Sequence, residues 1–110
     1  MGRKLPSSVR LALEELKQVL ISLYGERLQG IYLYGSYARG SASDDSDIDV
    51  LIALKGDVNP YEEINEFSEA VSDICLRQDV LIAVYPVPDT WLRERKSPLF
   101  ENIRREGVLL

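Results

Sequence analysis

Asp47 and Asp49 stand two residues apart and lead into the apolar run Val50-Leu51-Ile52-Ala53-Leu54. A short apolar run rich in branched residues predicts a strand, in which residues i and i+2 point to one face. The two carboxylates then lie about 6–7 Å apart along the backbone, and at that spacing they can share divalent cations. Gly35-Ser36 precedes them, separated from Asp47 by ten residues. A glycine lets the main chain approach a phosphate closely, and the amides and hydroxyl after it can donate to phosphate oxygens. Arg39 could add a charge-assisted bond to the same phosphate. Downstream, Asp79 precedes a second short apolar run. Three carboxylates plus a phosphate cradle are what two-metal phosphoryl or nucleotidyl transfer requires. The cations neutralise a triphosphate, orient it and activate the attacking oxygen.

These residues can act together only if the elements around them converge. Residues 1–6 read as a loose start, and Ser7 or Ser8 can cap a helix. Val9, Leu13, Leu16, Leu20 and Leu23 recur at helical spacing up to a stop at Gly25. Leu28–Tyr34 reads as a strand, 35–46 as a turn-rich connection with room for one helical turn, and Ile48–Leu54 as a second strand. Tyr61–Leu76 reads as a helix with Ile64, Phe67, Val71 and Ile74 inward and Glu62, Glu63, Glu66 and Glu69 outward. Val80–Tyr85 reads as a third strand bounded by Pro86 and Pro88. A short helix from Thr90 to Arg95, another opened by Ser97-Pro98 and closed by Gly107, and an apolar tail Val108–Leu110 complete the chain.

This order predicts an α+β fold, a small mixed β-sheet with helices packed mainly on one face. Strands joined through a helix normally pair in parallel, whereas the first two can pair antiparallel. Asp79 would then open the third strand as Asp47 and Asp49 open the second, sharing a face with Leu81 and Ala83. The first strand runs the other way, so Gly35-Ser36 returns to the same end of the sheet.

The 110 residues fit one domain, 1–110. Thirteen Lys and Arg against eighteen Asp and Glu give a net charge of −5, which disfavours long nucleic acid as a partner. An acidic protein that handles anionic nucleotides needs cations to do so. The absence of histidine excludes Ser-His-Asp and Cys-His triads, imidazole acid–base catalysis and His-ligated zinc. The one cysteine, Cys75, excludes an internal disulfide and reads as a packed side chain. With no signal peptide or membrane-length apolar run, the expected compartment is the cytoplasm, with no membrane partner.

Gly-Ser, ten residues, then Asp-x-Asp resembles the signature of the DNA polymerase β-like nucleotidyltransferase superfamily. The form Gly35-Ser36-Tyr37-Ala38-Arg39-Gly40 and the ending Asn102-Ile103-Arg104-Arg105-Glu106-Gly107-Val108 are similar to its minimal nucleotidyltransferase (MNT) branch. The resemblance runs from the first strand to the end of the chain. It implies that Ser36 binds the β/γ-phosphates of an NTP, ATP by preference. It also implies that Asp47 and Asp49 hold Mg²⁺, with two ions expected. Asp79 would be the third acid, aiding the metal or deprotonating the acceptor hydroxyl. Members of this branch are often antitoxins paired with a HEPN-domain toxin, and some adenylylate a tyrosine on it. Larger superfamily members carry extra substrate-holding domains, so here a separate protein is the natural source of the acceptor.

Plainer readings stand beside these. The run Asp44-Asp45-Ser46-Asp47, taken alone, is a solvated loop. An EF-hand would need Gly and Glu where Val50 and Gly56 stand, and no P-loop Gly-Lys-Ser/Thr is present. Arg39 could be a surface ion-pair residue, Ser36 a turn residue and Asp79 a polar strand start. Tyr32, Tyr34 and Tyr37 read as packing residues before a base-stacking platform. Trp91, Leu99, Phe100, Leu109 and Leu110 read mostly as core, with any exposed remainder suited to a protein interface. Stoichiometric antitoxin binding without chemistry, and transfer to RNA or a small molecule, are the rival functions. Oligomerisation is left open.

Overall fold

The apolar run that follows Asp49 becomes the strand on which everything else packs. In the computed structural model, which describes residues 5–110, Ile48–Leu54 forms β2, apolar on both faces except at Asp49. A strand covered on both sides reads as a continuous apolar run rather than an alternating one. β1 (Leu28–Tyr34) pairs with β2 antiparallel, and β3 (Ile82–Pro88) pairs with it in parallel. A two-residue β4 (Val108–Leu109) pairs antiparallel with β1, giving the order β3-β2-β1-β4. The expected mixed sheet is present. The tail becomes an edge strand because Leu110 donates its amide to Ile31 O at 2.8 Å.

Two long helices cover one face of this sheet. α1 (Ser7–Tyr24) buries Val9, Ala12, Leu13, Leu16, Leu20 and Tyr24, and α3 (Pro60–Gln78) buries Glu63, Phe67, Val71 and Ile74. They meet Ile31, Leu33, Ile48, Val50, Ile52 and Leu54 in the main core. The short helices α4 (Asp89–Glu94) and α5 (Pro98–Glu106) lie on the other face. Leu92, Phe100 and Ile103 close over Leu51, Ala53 and Val87 there, with Trp91 edge-on to Phe100.

Several local expectations change. The loose start falls partly outside the described residues, and of it Leu5 and Pro6 are described. Pro6, not a serine, caps α1, so its cap has no side-chain bond. Tyr24 replaces Leu23 on the buried face of α1. α3 begins one residue earlier than expected because Asn59 accepts from the amides of Tyr61 and Glu62, at 3.1 and 3.4 Å, with Pro60 at the first position. Within α3, Ile64 is exposed and Glu63 is buried. The Glu63 carboxylate accepts from Tyr24 Oη at 3.0 Å and from Arg27 Nη2 at 3.3 Å. That pinning ties α1, the turn before β1 and α3 together.

β3 runs through Pro86 and Pro88 instead of stopping at them. Ile48 donates its amide to Leu81 O, so the odd-numbered residues of β3 face β2. The prolines lie on the outer side of this edge strand, where no ladder donor is needed.

Removing the Glu63 carboxylate strands the buried Tyr24 hydroxyl and takes one acceptor from the exposed Arg27. Glu63→Ala should lower the unfolding free energy by about 1–3 kcal/mol. Urea denaturation checks it, and in a Tyr24→Phe background the loss should shrink.

Candidate active site

β1 leaves the sheet where β2 enters it, and the register places Tyr34 opposite Asp49. The next residue, Gly35, has φ 76° and ψ −152°, a region essentially reserved for glycine. Its missing side chain matters as much as its backbone. A Cβ there would run into Asp49 Oδ2 and stand 3.2 Å from Asp49 Cγ. The Asp49 carboxylate therefore lies directly against the main chain at the turn.

From that turn a single helical turn, α2 (Ser36–Arg39), begins, closed by Gly40 at φ 79°. Arg39 N donates to Gly35 O at 3.1 Å and Ser41 N to Ser36 O at 2.9 Å. Helix geometry leaves the first amides of α2, starting with Ser36, without intrahelical acceptors. Tyr37 and Ala38 are buried in the main core and anchor this turn to the sheet.

The connection back to β2 is stitched by its own serines. Ser43 N donates to Ser46 Oγ at 2.9 Å, Ser46 N to Ser43 O at 3.0 Å, and Tyr37 Oη to Ser43 O at 3.4 Å. Asp47 then sits exposed just before the strand, and Asp49 half-buried inside it. Burial pushes the Asp49 carboxyl above the usual carboxylate range, and the Asp47 charge pushes it further, while Arg39 pulls it back. Arg39 itself leans toward Glu106 Oε2, 3.9 Å away.

Two adjacent carboxylates, one of them half-buried, favour a cation. No group of three metal-ligating acids or cysteines converges among the described residues. Mg²⁺ is commonly held by one or two carboxylates together with phosphates and water, so Asp47 and Asp49 fit that ion.

Asp79 stands elsewhere. It does not open β3, which starts at Ile82. It caps α3 in the left-handed conformation, at φ 55°. α3 runs two residues beyond the expected end, and the chain needs a left-handed residue to leave it, a conformation Asp adopts more readily than most. Asp79 lines a cleft together with Asp44, Asp45 and Ser46. The fold thus gathers Gly35, Ser36, Arg39, Asp47 and Asp49, and places Asp79 at the end of α3 instead of in a strand.

Sequence reading gave Tyr34 a packing role and did not place it beside Asp49. Tyr34 has its phenol pushed up by burial, then by Asp49 and by Tyr85. Strand alternation alone suggests that Tyr34 flanks Asp49, but only the register shows it. Glu106 lies in the family-like ending 102–108, but nothing in the sequence says that it faces Arg39.

Residues 13–104 match the family model described as the nucleotidyltransferase domain. A candidate protein adenylyltransferase of Methanocaldococcus jannaschii is 48% identical over 104 residues, covering 90% of this chain and 94% of the relative. Another from the same organism is 28% identical over 96 residues, covering 87% and 92%. A solved candidate minimal nucleotidyltransferase superposes with a TM-score of 0.60 at 23% identity, covering 99% of this chain and 100% of that one. A chain from a toxin–antitoxin crystal structure with AMP-PNP gives 0.64 at 21% identity, covering 87% and 69%.

Two outcomes follow from the Gly35–Asp49 contact. Gly35→Ala should displace the carboxylate, abolish activity and cost about 1–3 kcal/mol in backbone strain, measurable by assay and urea titration. Asp49 binds its proton more tightly folded than unfolded, so its contribution to stability is present at acid pH and lost as pH rises through the raised value. Asp49→Asn should therefore raise the melting temperature of the metal-free protein at neutral pH. The gain should vanish below the ordinary carboxyl value of 3.8.

Proposed function

This chain belongs to the nucleotidyltransferase domain family, and on that premise we propose that it is a minimal nucleotidyltransferase that moves AMP from ATP onto a hydroxyl of a partner protein. The observation that carries the reading is the Asp49 carboxylate seated on the Gly35 turn with Asp47 beside it. That arrangement sets an acidic pair next to free main-chain amides, the complement of a triphosphate with its counter-ion. The 48% identity to a candidate protein adenylyltransferase supports a protein acceptor. The fold shared with a chain from a toxin–antitoxin crystal structure supports an antitoxin role, and the resemblance to the minimal nucleotidyltransferase branch makes a HEPN toxin the partner we propose.

In this reading residues 1–110 act as one domain in the cytoplasm, where the single unpaired Cys75 is at home. The Ser36 hydroxyl and the first amides of α2 hold the β- and γ-phosphates, and Arg39 adds its charge. Asp47 and Asp49 would hold Mg²⁺, which when bound neutralises the triphosphate and eases deprotonation of the acceptor. The acceptor oxygen attacks the α-phosphorus in line, the bond to the bridging oxygen breaks, and pyrophosphate leaves toward Ser36 and Arg39. The acceptor proton passes to a carboxylate or to solvent. Asp79 would enter as third ligand or proton acceptor.

Label from the α-phosphate of ATP should appear on a HEPN-domain partner in the presence of Mg²⁺. Asp47→Ala and Asp49→Ala should each reduce it at least about a hundredfold, a loss of about 2.7 kcal/mol or more of transition-state stabilisation. Partner binding with no label from any NTP would replace this reading with inhibition by binding alone. In the same assay, Asp79→Ala activity as low as that of Asp47→Ala would give Asp79 a catalytic part, and near wild-type activity would remove it.

A further inference from the structure

Asp49 sits on a strand with a neighbour on each side. Tyr34 of β1 pairs with it on one side and Ala83 of β3 on the other. Neighbouring strands lie about 4.8 Å apart, and residues paired across them share a face. The next row identifies that face. Leu51 pairs with Tyr85, Leu51 belongs to the core beneath α4 and α5, and Tyr85 packs against it. Two residues back along each strand, Asp49 and Ala83 look out on the same side. Ala83 is exposed. It is therefore the position on β3 from which a side chain would join a cation held by Asp49, and it carries only a methyl group. Among the described residues no other acid takes that place. No three Asp, Glu or Cys side chains converge there, and Asp79 caps α3 instead. Residues 1–4, Met-Gly-Arg-Lys, contain no carboxylate.

We propose that Ala83 limits this site to two carboxylates, so that Asp47 and Asp49 take up Mg²⁺ together with the triphosphate and bind it only weakly without one. The inference rests on the nucleotidyltransferase reading above. Mg²⁺ gives up its water reluctantly, and one or two carboxylates ordinarily hold it with substrate phosphates as the remaining ligands. Affinity for such hard cations rises with the number of charged oxygens offered. A carboxylate at position 83 would let the chain hold the ion by itself. A methyl group there leaves the missing ligands to the phosphates that the Gly35 turn receives. Cation and nucleotide then raise each other's affinity by the same factor. Of the two parts open to Asp79, this leaves that of proton acceptor.

The test uses the full chain and Mn²⁺ alone, an ion with the same preference for oxygen ligands, whose free form is followed by electron paramagnetic resonance. Ala83→Asp should bind Mn²⁺ at least about tenfold more tightly than wild type, because it adds a charged ligand. Ala83→Asn, of the same shape without the charge, should gain far less. Asp79→Asn should leave the wild-type Mn²⁺ affinity unchanged. In calorimetry, an ATP analogue with a methylene bridge between the α- and β-phosphorus cannot lose pyrophosphate. Wild type should bind it at least about tenfold more tightly with Mg²⁺ than with a chelator. The proposal is overturned by wild type binding Mn²⁺ alone as tightly as Ala83→Asp, or by two ions per chain without nucleotide. It is equally overturned by an analogue affinity indifferent to Mg²⁺, or by lost Mn²⁺ affinity in Asp79→Asn, results that need no Ala83 variant to fold. AMP transfer separates the two levels. Label on the partner from a wild-type chain that holds Mn²⁺ tightly by itself sinks the two-carboxylate site and leaves the transferase reading standing. Metal binding as expected, without label from any NTP on any acceptor, sinks the transferase reading alone.

Discussion

The contact between the Asp49 carboxylate and the bare α-carbon of Gly35 is the constraint that the rest of the site obeys. It exists because the antiparallel register puts Tyr34 opposite Asp49, so the chain must turn away immediately beneath a carboxylate. Any side chain at that turn would expel the acid or distort the backbone. With the turn fixed, α2 starts in one direction only and its unpaired amides lie beside the acidic pair. Tyr37 and Ala38 then bury themselves in the main core, which makes the placement rigid rather than merely possible.

The sheet divides labour between its faces. On one, α1 and α3 exclude water from alternate residues of β1 and β2. On the other, the short helices α4 and α5 close over Leu51 and Ala53 with Phe100 and Ile103, while Asp49 lies further along the same face, only half-buried. The partial cover keeps Asp49 poorly solvated, which raises its proton affinity, yet leaves it open to ligand. A carboxylate held this way is destabilising by itself and becomes favourable when a cation arrives. The outer edges of the sheet need no partner strand. β3 turns its two prolines outward, and β4 is two residues long.

Much of this was legible from residue order. The strand after Asp-x-Asp, the turn after Gly35 and the α+β plan follow from local spacing and from periods of 2 and 3.6. Where expectation and structure part, a neighbour far along the chain is responsible. Glu63 is inside and Ile64 outside because Tyr24 and Arg27 supply partners that helical periodicity cannot see. The prolines of β3 are tolerated because that strand lies at an edge. Two residues, Val108 and Leu109, carry no periodic signal at all, and only the exposed flank of β1 makes them a strand.

By itself the sequence determined the chemical vocabulary. Without histidine, any chemistry is left to carboxylates, hydroxyls, Lys, Arg, Tyr and backbone groups, and a glycine turn, a hydroxyl and two carboxylates stand at fixed spacing. Asp47, Asp49, Gly35 and Ser36 lie on one strand–turn–strand segment, so short-range geometry sufficed to bring them together. What the tertiary structure alone decided is which distant groups join them. Whether Asp79 meets the pair depends on where α3 ends and in what register β3 docks. The packing of α3 on α1 and the left-handed exit at φ 55° settled both, leaving Asp79 at the end of α3 and in the lining of a cleft with Asp44 and Asp45. Glu106 reached Arg39 through the same kind of long-range packing, which a local pattern of residues cannot encode.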